Sequence, residues 1–311
     1  MEDKIGIFVA CHKQSQIAEN PLLIPIQVGA SLTDDRYFGM ICDNTGKNIS
    51  DKNKEYCELT AQYWAWKNTD YDYYGFFHYR RYLTFNHVIP VESDGTISKK
   101  RVRPYKELDC IPKDLGKYGL DLNLMEQTIP NYDIITVLRE KLDVTVYQQY
   151  CQYHPKENLD ILLDIIKVKT PEYMPAVYEY MNAKCIYYMN MYIMKKNVFC
   201  AYMTWLFDIL SDYEKVKGYQ NLEPRIMGYL AERLFGIFYT YQRSKGYKCA
   251  EVPYLKFYDT GEGEDRKNIR TFQLGSSKYE LRIDMRKVNR LFPAGSRRRL
   301  FLRKIILKNR Y

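Results

Sequence analysis

Two short basic clusters stand where an apolar run gives way to loop. His12 and Lys13 follow the run 5–10, and His78, Arg80 and Arg81 follow the aromatic run 73–77. Guanidinium forks and ammonium groups hold phosphate and carboxylate oxygens. In α/β sheets, ligands settle beyond the carboxyl ends of strands. The segments after Ala10 and Phe77 are therefore where binding chemistry is expected. Strand alternation sends Arg80 and Arg81 to opposite sides, so one faces a ligand and the other makes a structural ion pair. The plain alternative is a solvated strand end for the arginines and a satisfied core position for His78.

The elements that position these clusters follow from periodicity and punctuation. The run 5–10 reads as a buried first strand, and 11–35, with Pro21, Pro25 and Gly29, as a long loop with short extended pieces. Tyr56, Leu59, Tyr63 and Trp66 recur at helical spacing, so 55–66 is expected to be one helix. Further helices are expected at 122–128, in two or three pieces over 144–180, and at 197–216 and 222–241. Strands are expected at 132–138 and 185–194, and a last one within 246–258. Residues 90–118 are polar and turn-rich and read as an insertion. Strands alternating with helices give an α/β fold: a mostly parallel, Rossmann-like sheet flanked by helices, with a largely helical part at about 144–241. The expected division is a main domain, 1–258, and a C-terminal extension, 259–311.

The formal net charge of +9 is local. Residues 290–311 hold eight basic residues and no acidic one, which leaves the remainder at +1. A nearly neutral body argues against a broad nucleic-acid surface. The tail interleaves its basic residues with Leu300, Phe301, Leu302, Ile305, Ile306 and Leu307, the composition of an interfacial helix drawn to anionic lipid. A helix packed on its own domain with a solvated basic face is the alternative. No apolar stretch approaches the roughly 20 residues that span a bilayer. The eight cysteines show no CxxC pair and no metal-finger spacing, which suits reduced thiols in a cytoplasm.

The block Asn48-Ile49-Ser50, Glu55-Tyr56-Cys57-Glu58-Leu59-Thr60-Ala61-Gln62-Tyr63-Trp64-Ala65-Trp66-Lys67-Asn68 and Gly75-Phe76-Phe77-His78-Tyr79-Arg80-Arg81-Tyr82 resembles a family of bacterial capsule and exopolysaccharide glycosyltransferases, long catalogued as a domain of unknown function. The resemblance extends from Ala10-Cys11-His12-Lys13, through Gly29 and Asp43-Asn44-Thr45-Gly46, to Trp205-Leu206-Phe207 and the segment 225–234. It implies a GT-A-like fold and transfer of a sugar from a nucleotide donor, a UDP-sugar such as UDP-galactose or UDP-galactofuranose, to a lipid-linked glycan. It also implies work at the inner face of the cytoplasmic membrane, with the tail as tether.

GT-A enzymes generally end a strand in Asp-x-Asp, whose carboxylates hold a divalent metal on the donor diphosphate. Here the corresponding strand ends in His78-Tyr79-Arg80-Arg81. The expectation is that arginine replaces metal and no cofactor is needed; Mn²⁺ or Mg²⁺ enters only if that substitution is wrong. His12, Lys13 and His78 are then expected at the donor. Asn44, Asn53 and Tyr56 are candidates for the base, since amides read a pyrimidine edge and a ring stacks on it; capping and turn roles explain the asparagines equally. A base for the acceptor hydroxyl is sought among Glu223, Glu232, Asp133 and Glu58, with Glu223 favoured and Glu232 second. Asn190 and Arg225 are placed on the acceptor side, although Asn190 could instead satisfy backbone groups. The reading from another class is a non-catalytic glycan-binding or assembly protein on a decayed transferase fold.

Overall fold

The computed structural model describes residues 3–97 and 102–258, and the backbone of 269–273 and 280–284. The chain divides into two units, Met1–Thr260 and Gly261–Tyr311. The first unit is built on one mixed sheet. Its strands are β1 (Ile5–Cys11), β2 (Leu23–Gln27), β3 (Ile41–Cys42), β4 (Tyr73–His78), β5 (Arg81–Leu83), β6 (Ile89–Val91), β7 (Tyr105–Leu108) and β8 (Ile134–Val137). The small strands β9 (Glu140–Lys141) and β10 (Cys185–Ile186) pair with each other, and β11 (Tyr192–Lys195), β12 (Cys249–Val252) and β13 (Tyr254–Phe257) complete the main sheet. In the second unit, β14 (Ile269–Gln273) and β15 (Glu280–Asp284) form an antiparallel pair.

The main path runs β3-β2-β1-β4-β11-β8-β12-β6, with β13, β5 and β7 joined to it off the path. All seven residues of β1 are buried, as an unbroken apolar strand between parallel neighbours requires. β1 pairs in parallel with β2 on one side and β4 on the other, so the direction of winding reverses between β1 and β4. β11 runs antiparallel between β4 and β8. The turn that precedes it therefore lies at the same sheet edge as the exits of β1 and β4.

Eight α-helices cover this sheet among the described residues: α1 (Asn53–Tyr56), α2 (Leu59–Asn68), α3 (Leu122–Thr128), α4 (Val146–Tyr153), α5 (Lys156–Lys169), α6 (Met174–Asn182), α7 (Lys196–Lys217) and α8 (Ile226–Ser244). In α7 the stripe Val198, Tyr202, Trp205, Ile209 and Tyr213 is buried at intervals of three and four, the amphipathic period. Helix α8 is buried nearly all round. It meets α6 so closely that a Cβ on Gly236 would stand 1.9 Å from the Tyr180 ring, which is why only glycine fits there. Aromatic packing fills the interior: Tyr74 stacks on Phe199 at 4.3 Å and Tyr192 on Phe235 at 5.2 Å.

Two expectations are corrected. The single helix over 55–66 is two, because Cys57 turns to φ 51 and ψ −130 between α1 and α2. The strand over 185–194 is two short strands separated by a turn in which Met189 and Asn190 have φ 80 and 49. Within the stretch 90–118, β7 pairs with β13, and β6 at its start pairs with β12. The basic tail 290–311 lies outside the described residues. No helix among the described residues is long and apolar enough to cross a membrane.

Candidate active site

Residues from the exits of β1 and β4 gather on one aromatic ring. The buried Tyr79 receives His12 edge-on at 5.0 Å, with the phenol oxygen 3.5 Å from Nε2. The Arg80 guanidinium lies 5.0 Å, and the Lys13 ammonium 5.9 Å, from the centre of the same ring. A ring face carries negative potential, so it can gather cations that otherwise repel. His12 records the result: burial, then the charges of Arg80, Lys13, His78 and Arg225, lowers its pKa below the ordinary 6.5. Arg81, across from His78 in the β4–β5 pair, acts on His78 and Tyr254. Arg80 lies in the turn between β4 and β5 and Arg81 opens β5, so alternation along one strand does not divide them, and both act on His78. Neither makes an ion pair with a carboxylate among the described residues.

Beside this group lies a strained junction. The non-glycine residues with positive φ among those described are Cys57, Met189, Asn190 and Arg225; Cys57, Asn190 and Arg225 meet at the first turn of α8, and Met189 N donates to Glu232 in the next turn. Arg225 is its N-cap, with N–H donating to Lys54 O at 2.8 Å. Asn190 Nδ2 donates to Gly228 O at 3.1 Å, and Cys57 is 3.6 Å from where a Cβ on Gly228 would stand. Such conformations cost about 1–3 kcal/mol each and collect at functional sites. The His78 ring bonds Met189 O through Nε2 at 2.7 Å, which ties the exit of β4 to the turn before β11. Burial foremost, with Arg81 and Arg80 adding and Glu58 opposing, lowers the pKa of His78, so the neutral ring donates from Nε2.

The carboxylates separate. Glu58 Oε1 accepts from Asn190 Nδ2 at 2.7 Å. Glu232 accepts from Met189 N at 2.7 Å and from Arg233 Nη1 at 2.8 Å, and burial raises its pKa although Arg233 opposes the rise. Arg233 is itself buried, over the Tyr150 ring and bonded to Gln149 Oε1 at 2.6 Å. Glu223 is exposed and turned toward α5, where Asn158 Nδ2 approaches it at 3.4 Å. Asp133 caps the sheet's opposite end by accepting from Lys248 N at 2.8 Å.

The structure therefore brings His12, Lys13, His78, Arg80, Arg225, Asn190 and Glu232 to one sheet edge, and adds Tyr79, Glu58 and Cys57. It leaves Glu223 at the margin. Asn53 is used locally, donating to Cys57 O at 2.7 Å and Thr60 Oγ1 at 3.0 Å. Tyr56 is buried, stacked on Phe207 and bonded to Glu214 at 2.8 Å. Asn44 is half-buried beside Asp43, whose carboxylate accepts from Gly29 N and Ala30 N and ties down the loop after β2. Tyr79 had a visible signal, since it sits between His78 and Arg80. Cys57 and Met189 had none, because their backbone angles do not follow from residue type. Among the described residues no three His, Cys, Asp or Glu side chains group so as to hold a metal ion. A cleft of about 440 Å³ lies elsewhere, among α4, α5 and α6, and shares no lining residue with this cluster.

A crevice at the carboxyl ends of β1 and β4, where the winding reverses, is the ligand position of open α/β folds. The family model described as "Domain of unknown function (DUF4422)" matches residues 6–243, and the chain belongs to that family. Among solved structures it is similar to "WbbM bifunctional glycosyltransferase apo structure", with a TM-score of 0.71 and 29% identity over 86% of this chain and 48% of that one. The chain thus spans about half the length of that protein. No curated protein matches it significantly.

Proposed function

We propose that the chain is a glycosyltransferase that moves a sugar from a nucleotide donor to a glycan acceptor. The observation that carries this reading is the convergence of Arg80, Lys13, Arg225, His12 and His78 at the β1–β4 crevice, in a fold shared with a protein described as a glycosyltransferase. As the bond to the leaving diphosphate breaks, negative charge grows on its oxygens, and preorganised cations are placed to stabilise it. Arg80 holds the diphosphate directly, Lys13 and Arg225 flank it, and Tyr79 fixes the spacing of Arg80 and Lys13. Mg²⁺ and Mn²⁺ take oxygen ligands, whereas the groups gathered here are chiefly basic; the proposed transfer needs no divalent metal.

In this reading Glu232 takes the proton of the acceptor hydroxyl. Burial raises its pKa, which makes the carboxylate a stronger base, and its bond to Met189 N holds it at the junction. Glu223, two residues before Arg225, borders the acceptor's entry. The donor is proposed to be a UDP-hexose, with UDP-galactose and UDP-galactofuranose first to try. The acceptor is proposed to be a lipid-linked glycan of capsule, exopolysaccharide or O-antigen type, met at the inner face of the cytoplasmic membrane through residues 290–311. The test is calorimetric titration of UDP in EDTA. UDP is expected to bind the wild type and to lose about tenfold or more in affinity in Arg80→Ala, the magnitude of a charge-assisted hydrogen bond. Binding that requires Mn²⁺, or that ignores Arg80, contradicts the assignment.

A further inference from the structure

The junction beside the basic cluster contains an amide whose orientation is fixed by its neighbours. Asn190 Nδ2 lies 2.7 Å from Glu58 Oε1 and 3.1 Å from Gly228 O, and both are acceptors, so the NH₂ must face them. The Oδ1 atom is left without a partner, on a residue only 3% exposed. Buried amide oxygens are rarely left so. The backbone of the turn offers it nothing: Met189 N donates to Glu232, and Asn190 O accepts from Gln62 Nε2 at 3.1 Å. His78 has its Nε2–H on Met189 O, which leaves Nδ1 as an acceptor. Glu58 brings a carboxylate. Asn190 Oδ1, Glu58 and His78 Nδ1 are all acceptors, and the bonds of the Asn190 amide to Glu58 and Gly228 persist although Met189 and Asn190 stand at strained positive φ.

Acceptors need donors, and a neutral ligand with several donors is a polyol. We infer that Asn190, Glu58 and His78 form a subsite for the hydroxyls of the transferred sugar, which selects an unsubstituted hexose over one bearing a carboxylate or an N-acetyl group. This inference rests on the transferase reading, because the sugar is the hydroxyl-rich group covalently next to the diphosphate that Arg80 holds. A sugar carboxylate brings negative charge toward Glu58 and no donor. An N-acetyl carbonyl adds one more acceptor where acceptors already stand unpaired. A hydroxyl that reaches Oδ1 gives that oxygen the partner it lacks.

The test is titration of UDP, UDP-glucose, UDP-galactose, UDP-glucuronate and UDP-N-acetylgalactosamine in EDTA, with the wild type, Asn190→Gly and Glu58→Gln. Glycine keeps the left-handed backbone while removing the amide. The wild type is expected to prefer one of the two hexose donors to the glucuronate and the N-acetyl donor by about tenfold or more. Asn190→Gly should weaken that hexose donor by about tenfold and leave UDP within about twofold. Glu58→Gln, which supplies an NH₂, should narrow the discrimination against the glucuronate. Equal losses for UDP and the hexose donor in Asn190→Gly, or no discrimination by the wild type, overturn the subsite while the transferase reading stands. If UDP itself does not bind the wild type, the transferase reading fails and the subsite with it. Should Asn190→Gly fail to fold, as thermal unfolding would report, the wild-type donor series and Glu58→Gln decide.

Discussion

Arg139 and Glu251 join the ends of the parallel strands β8 and β12, and replacing Arg139 with methionine should measure what that bond contributes. Arg139 Nε approaches the two Glu251 oxygens at 2.9 and 3.0 Å, and its backbone N–H donates to Oε2 at 3.1 Å. Its Nη1 also ties down the turn 92–97 through Gly95 O at 3.0 Å. The Glu251 side chain is 0% exposed, and Tyr187 OH donates to it at 2.7 Å. Without the guanidinium, the carboxylate keeps two donors and no countercharge in a dry interior. Removing one partner of a buried pair costs about 3–5 kcal/mol, whereas removing both for apolar groups of similar volume is near neutral. At roughly 2–4 °C per kcal/mol for a unit of this size, Arg139→Met should lower the unfolding midpoint by about 10 °C. The double variant Arg139→Met, Glu251→Leu should regain most of that loss. Differential scanning fluorimetry at pH 7.5 suffices. A single-variant drop under about 2 °C, or a double variant no better than the single, would refute the reasoning.

The pH dependence of stability follows from three histidines. His12, His78 and His154 all have pKa values lowered from 6.5, with burial the first cause in each. The unfolded chain therefore takes up protons that the native state resists, so stability is full above about pH 6.5 and declines as pH falls through that value toward the depressed ones. Glu232, raised from 4.5, acts in the opposite sense and only over the window between 4.5 and its raised value. Urea unfolding at pH 8, 7, 6 and 5.5 is expected to show a falling midpoint below 7; a midpoint that rises over that range contradicts the burial of these rings. At Cys57, φ 51 with ψ −130 is a conformation for glycine. Cys57→Gly should be at least as stable as the wild type and Cys57→Val less stable by about 1–3 kcal/mol, a ranking that chemical denaturation reads directly. A valine variant as stable as the wild type would show that the junction relaxes without strain.

How far the sequence disclosed this site depends on which physical signal each part carries. Strands β1 and β4 were legible because unbroken apolar runs have few other places to go. The sheet rule then pointed to His12, Lys13, His78, Arg80 and Arg81 at their exits. Helices α3, α7 and α8 came from periodicity, with boundaries shifted by a few residues where capping geometry decides. The junction was not legible. A cysteine at a helical position gives no warning of φ 51, and the apolar run 185–194 reads as one strand because period alone cannot see a left-handed turn at Met189 and Asn190. That turn sets the near neighbours of Glu58 and Glu232. Tyr56 and Asn53 fit base recognition by type, yet burial against Phe207 and Glu214, and capping of Cys57 O, use them within the fold. Its place before a helix favours Glu223 as a base; its direction, toward Asn158, is a tertiary fact.

The most direct measurement for the whole account is release of free nucleotide from a panel of UDP-sugars with membrane lipid extract as acceptor, each reaction run in EDTA and with added Mn²⁺. Turnover of one donor is expected to survive EDTA and to disappear in Arg80→Ala. Turnover abolished by EDTA would contradict the replacement of metal by arginine. No turnover with any donor, together with tight binding of glycan, would make the chain a glycan-binding protein on a transferase fold and contradict the central claim.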